Sequence, residues 1–113
     1  MRTRGFFGRQ IVAALCITLG TSGAIAADEF ALTIKDHRFQ PTEVRVPANT
    51  KVKLVITNKD STAEEFESHT MNREKIIPPG GTITVFIGPL KPGRYPFVGE
   101  YHEKTAQGVV IAE

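Results

Sequence analysis

The stretch Val52-Lys53-Leu54-Val55-Ile56-Thr57-Asn58 sets the fold class. Val52, Leu54 and Ile56 alternate with Lys51, Lys53, Val55 and Thr57, a period of two that turns one face of an extended chain to a core and the other to water. Working outward, the same period returns. Phe30, Leu32 and Ile34 alternate with Ala31, Thr33 and Lys35, and Val44 and Val46 form a short segment closed by Pro47. Residues 82–87, 94–98 and 109–112 complete the set. Between these runs lie Pro47-Ala48-Asn49, Asn58-Lys59-Asp60-Ser61, Pro78-Pro79-Gly80-Gly81, Gly88-Pro89 and Lys91-Pro92-Gly93, all turn chemistry. No stretch carries a helical stripe, and there is no repeat or linker. The pattern predicts an all-β chain folded as one sandwich or barrel of about seven short strands.

Residues 1–26 read differently. Arg2, Arg4 and Arg9 precede an apolar run over residues 11–19, and Ala24-Ile25-Ala26 offers the small-x-small pattern of signal peptidase. The run is shorter than the roughly 20 apolar residues a membrane span needs. A cleavable signal peptide over 1–26 and a domain over 27–113 are therefore expected, with export to the periplasm and no membrane anchor. Removing 1–26 takes three arginines and the sole cysteine, Cys16, leaving 11 Lys+Arg against 12 Asp+Glu. A nearly neutral 87-residue remainder gives no footprint for nucleic acid. No Ser-His-Asp or Cys-His arrangement, phosphate loop or CxxC supports a hydrolase or redox dithiol.

Three motifs carry a resemblance. Phe39-Gln40-Pro41 with Val44-Arg45-Val46-Pro47-Ala48-Asn49, the strand ending Asn58-Lys59-Asp60, and Leu90-Lys91-Pro92-Gly93-Arg94-Tyr95-Pro96-Phe97 are similar to the cupredoxins. The resemblance spans nearly all of residues 27–113 and implies a cupredoxin-like Greek-key β-sandwich. It also marks departures. The cysteine place, four after Tyr95, holds Gly99; the methionine place holds Gln107; and Glu64-Glu65-Phe66-Glu67 stands where an upstream histidine is expected. Only His102 keeps a ligand position. Glu65-Phe66-Glu67-Ser68, Arg73-Glu74-Lys75-Ile76-Ile77-Pro78 and Gly99-Glu100-Tyr101-His102 resemble the EfeO-type domains and the Ftr-type periplasmic cupredoxins that accompany ferrous-iron permeases. That branch implies copper or iron as the bound metal, and as partners a periplasmic iron-binding protein and an inner-membrane iron permease.

Without a thiolate, oxygen and imidazole donors remain, which suit Cu(II), Fe(II) or Fe(III). The candidate metal-binding residues are His102, Glu65, Glu67, Glu100 and His37. Strand parity puts Glu65, Glu67 and His69 on one face and Glu64, Phe66 and Ser68 on the other. A bulge would bring Glu64 inward, and the residues alone leave this register open; the Glu-aromatic-Glu triplet of the resembled branch favours Glu65 and Glu67. Gly99 is expected to leave room where a thiolate would sit. The functions implied are assistance of ferrous-iron uptake, with Fe(II) oxidation and handover, or a non-catalytic periplasmic copper carrier.

Overall fold

The alternating stretch forms a strand, β4 (Val52–Asn58), in which Val52, Leu54, Ile56 and Asn58 are buried and the residues between them are not. A computed structural model describes residues 27–113; the expected signal peptide, residues 1–26, lies outside the described residues. The other strands are β1 (Asp28–Lys35), β2 (Arg38–Gln40), β3 (Glu43–Val46), β5 (Glu64–Ser68), β6 (Arg73–Ile77), β7 (Thr82–Ile87), β8 (Gly93–Gly99) and β9 (Gln107–Ala112). One sheet runs β2-β1-β4-β7 and the other β3-β9-β8-β5-β6. Pairing is antiparallel except for β1 with β4 and β3 with β9, so this is an all-β, two-sheet, cupredoxin-like sandwich.

Among the described residues nine strands replace the expected seven or so, because two have no period to read. Strand β2 is three residues long with only Phe39 buried. In β6 the first four residues are exposed and only Ile77 is buried, as befits an edge. Its Arg73 and Lys75 lie on the same face as Ile77 and reach across to β7, donating to the Phe86 carbonyl at 2.8 Å and the Thr84 carbonyl at 3.3 Å. The open edges of the two sheets are thereby stitched together. At the start of β8, the Tyr95 hydroxyl donates to the Lys91 carbonyl at 2.7 Å, fixing the Pro92-Gly93 entry to the strand.

Three phenylalanines organise the core toward one end. Phe97 lies 4.9 Å from Phe39 and 5.1 Å from Phe66 between ring centroids, edge-on to the first and tilted against the second. His37 lies two residues before Phe39, Glu64 two before Phe66 and Gly99 two after Phe97. The aromatic trio is therefore the floor from which three strands rise to the same end of the sandwich. Among the described residues no helix is long and apolar enough to cross a membrane.

Candidate metal centre

The turn between β1 and β2 presents His37. Asp36 and His37 both adopt left-handed backbone, with φ of 52° and 57°, the conformation a two-residue hairpin turn demands. Asp and His tolerate it better than most residues but do not prefer it. Asp60 secures it: its two carboxylate oxygens accept the backbone N–H groups of Asp36 at 2.8 Å and His37 at 2.9 Å. Desolvation pushes the Asp60 carboxyl up, but these two hydrogen bonds together with the nearby charges of His37 and Lys35 hold it below its ordinary value. Asp60 is itself set by Asn58, which is fully buried; the Asn58 side-chain oxygen accepts the Asp60 N–H at 2.9 Å, and its amide donates to the Thr62 carbonyl at 2.8 Å. The Asn-x-Asp motif thus works as a clamp on the His37 turn.

His102 ends the single 3-10 turn after β8 (Glu100–His102). Its ring stacks on that of His37, with centroids 3.5 Å apart and planes 13° from parallel. Its Nδ1 lies 2.7 Å from Oε2 of Glu64. Glu64 Oε1 accepts the backbone N–H groups of Glu65 and Tyr101, each at 2.9 Å. No bulge is needed for this: β5 pairs with β6 without interruption from Glu64 to Ser68, and Glu64 turns inward beside Phe66 on ordinary parity.

The structure corrects one expectation here. The place vacated by cysteine is filled, not open. A Cβ added to Gly99 would lie 2.6 Å from Glu64 Cδ and 2.7 Å from Ala106 Cβ. Gly99 is glycine because the Glu64 carboxyl needs that volume. At the methionine place, the exposed Gln107 side chain donates to the Glu103 carbonyl at 2.8 Å. A thiolate copper set therefore does not fit these residues.

The carboxylates form a second group. Glu65 and Glu67 project from the outer face of β5, opposite to Glu64 and Phe66. Register brings Glu74 of β6 directly across from Glu67. Phe66 pairs with Gly99 of β8, so one further step sets Glu100 opposite Glu65. Carboxylate oxygens of Glu65, Glu74 and Glu100 all lie within 4.8 Å of one another. Of the five candidates, then, His37 and His102 meet in one stack, and Glu65, Glu67 and Glu100 gather on the sheet face with Glu74, which sequence reading did not single out. Among the described residues no hydrogen bond or ion pair joins the carboxylates of Glu65, Glu67 or Glu100 to either stacked imidazole. His69 lies 3.8 Å from Glu67 on the exposed flank.

Like charges this close oppose ionisation. A hydrogen bond shared with Glu74, then desolvation and a hydrogen bond shared with Glu100, push Glu65 up to about 7. Glu67 is also raised, first by desolvation and then by the charge of Glu100. A raised carboxylate holds its proton in the folded state after the unfolded chain has lost it. Folding stability therefore falls as pH rises from the ordinary value of 4.5 toward about 7, and levels off above. Glu65→Gln is expected to flatten this decline and to raise the melting temperature at pH 8 in chelator. Thermal melts of both proteins across pH 5 to 8 check it; superimposable profiles would contradict it.

The two-sheet topology and an end that keeps one imidazole while burying a carboxylate in the thiolate's place define a cupredoxin without a blue-copper site. The chain belongs to the cupredoxin-like domain family, whose pattern it matches over residues 9–112. An uncharacterised protein of Rickettsia prowazekii is 52% identical over 83 residues, covering 74% of this chain; the chain spans 66% of that protein's length. Among solved structures, auracyanin A, a "blue" copper protein of Chloroflexus aurantiacus, superposes with a TM-score of 0.66 at 12% identity, covering 78% of this chain and all of that one. Amicyanin of Paracoccus versutus gives 0.61 at 17% identity, covering 79% of this chain and 85% of that one. The metal-binding domain of a Cu(I)-exporting P-type ATPase of Streptococcus pneumoniae gives 0.67 at 10% identity, over 75% and 84%. At these identities the likeness is one of fold.

Proposed function

We propose that this protein is a periplasmic, non-blue metal-binding cupredoxin that assists ferrous-iron uptake. Copper or iron would be held by His102 and the neighbouring carboxylates. The observation that carries the reading is the exchange at the sandwich end: thiolate volume given to a buried carboxylate, one imidazole kept at the family's ligand place, and four carboxylates crowded on β5, β6 and the adjoining 3-10 turn. Fixed like charges directly across strands cost stability, and a hard cation offsets them. Oxygen-rich ligation favours the ferric state, so oxidation of Fe(II) before handover suits this donor set, the electron passing to Cu(II) held there and on to dioxygen. Iron is cargo in this scheme. It would pass to a periplasmic iron-binding protein and then to an inner-membrane permease, the partners the sequence resemblance implies.

One observation favours a second reading, a non-catalytic copper carrier. His102 presents a single braced imidazole, and stacked parallel rings cannot both aim in-plane lone pairs at one ion about 2 Å from each nitrogen. His37 has to leave the stack to join His102 as a ligand. Fe(II) consumption under air, with and without one equivalent of Cu(II), separates the readings. Copper-dependent loss of Fe(II) supports iron oxidation; tight Cu(II) binding without turnover supports the carrier. Bound Cu(II) should give only a weak nitrogen/oxygen-type visible spectrum.

A further inference from the structure

Among the described residues three large apolar side chains stand exposed: Ile76 at 52%, Phe86 at 45% and Tyr101 at 49%. All three lie among charges, and the charges differ in sign. Lys51 Nζ sits 4.7 Å over the Phe86 ring, Lys53 is directly across from Phe86 on β4, and Arg73 donates to the Phe86 carbonyl. Lys53 is paired with Glu29 at 3.6 Å, whereas among the described residues no ion pair engages Lys51 or Arg73. Ile76 is directly across from Glu65 and shares a face of β6 with Glu74, and Tyr101 follows Glu100 in the 3-10 turn.

The two patches flank one side of the sandwich. Arg73 reaches Phe86 and Lys75 reaches Thr84, so β6 and β7 lie along each other in opposite directions. Ile76 is three residues beyond Arg73, about 10 Å further along an extended strand. The cationic patch therefore sits at one end of this flank, on the side of β7 and β4. The acidic patch sits at the other end, on the side of β6 and β5.

We propose that this flank is the face on which a second copy of the chain docks, Phe86 and its cations on each copy meeting Ile76, Tyr101 and the carboxylates of the other. Charge complementarity selects this occupant, because the chain itself carries both halves, spaced along one face. A twofold axis crossing the flank between them makes both contacts at once. The crowded carboxylates of Glu65, Glu74 and Glu100 gain there the opposite charges that the monomer does not bring to them. A metal ion at the same carboxylates would compete with the second copy, so the test is made in chelator.

Sedimentation velocity of the metal-free protein, over a range of concentrations, should show monomer and dimer in low salt and monomer alone in high salt. Lys51→Glu and Glu74→Lys, both at exposed positions, should each weaken dimerisation by about 10-fold or more. An equimolar mixture of the two variants should restore it, because a reversed cationic patch then faces a reversed carboxylate patch. A folded wild type that stays monomeric in low salt overturns the proposal without any variant. Assemblies that grow beyond the dimer overturn it too, since a twofold contact closes on itself. A dimer indifferent to salt and to both substitutions places the interface elsewhere and is equally fatal. Binding of a monomeric wild type to phosphatidylglycerol vesicles, lost in Lys51→Glu, would give the cationic patch to an anionic lipid surface instead.

Discussion

Gly99→Cys is expected to leave the Cu(II)-loaded protein without an intense charge-transfer band and to lower its melting temperature by roughly 5–20 °C. The estimate combines overpacking of about 1–3 kcal/mol with a shift of about 4–8 °C per kcal/mol for a domain of this size. The added Cβ would sit 2.6 Å from Glu64 Cδ and 2.7 Å from Ala106 Cβ. The end of a glutamate side chain can usually swing aside, but this one is tied by two backbone N–H groups and an imidazole. Ala106 is fully buried and its methyl has no rotamer to escape into. Either the carboxyl abandons three hydrogen bonds or the backbone shifts, and both cost stability. Differential scanning calorimetry and visible spectra decide it. An intense charge-transfer band in a stable Gly99→Cys protein would refute the geometry. The place to look for colour is the double variant Glu64→His with Gly99→Cys, which supplies an imidazole and a thiolate and removes the obstructing carboxyl together.

His102→Ala should weaken Cu(II) binding by at least about 10-fold while leaving the fold intact. The binding loss follows from removal of the one imidazole that is both partly exposed and held from behind; outer-shell changes alone reach that scale. The fold is expected to survive because His102 lies in a surface turn, outside the Phe39, Phe66 and Phe97 cluster. Some destabilisation is built in, since the buried Glu64 loses one of three partners, and a lost charge-assisted hydrogen bond is worth about 1.5–3 kcal/mol. Calorimetric titration together with circular dichroism checks both halves. Unchanged affinity in a folded His102→Ala protein would move the site to the carboxylate face, where Glu65, Glu74 and Glu100 converge.

The sandwich was legible because its central strand β4 alternates without exception. From Val52 to Asn58 the buried and partly exposed residues follow the side-chain chemistry, apart from Val55, apolar on the outer face, and Asn58, which is buried to serve the Asp60 clamp. Edge strands left no such trace. Arg-Glu-Lys in β6 reads as a polar loop until its pairing with β5 is known. The candidate site was legible by residue type but not by face. Parity alone already set Glu64 on the same side as Phe66, and the Glu-aromatic-Glu triplet of the resembled branch favoured Glu65 and Glu67 instead. Position 64 tolerates a carboxylate only because Tyr101 N–H and His102, 37 and 38 residues away, complete its hydrogen bonds. Glu74 was hidden for the same reason: its relation to Glu67 exists only through cross-strand register.

The stitching of β6 to β7 bears on how another protein can engage this one. The four edge strands are β2, β7, β3 and β6. Along β7 the carbonyls of Thr84 and Phe86 are already taken by the molecule's own Lys75 and Arg73. Strand β2 offers only three residues, and β3 offers four before Pro47 ends it. An incoming segment seeking to pair at these three edges meets occupied acceptors or too short a template. Recruitment by backbone pairing is disfavoured along β7, β2 and β3, which also limits self-association by that route. Contacts on those sides are read through side chains, and the half-exposed Tyr101 beside His102 is the aromatic surface closest to the chemistry.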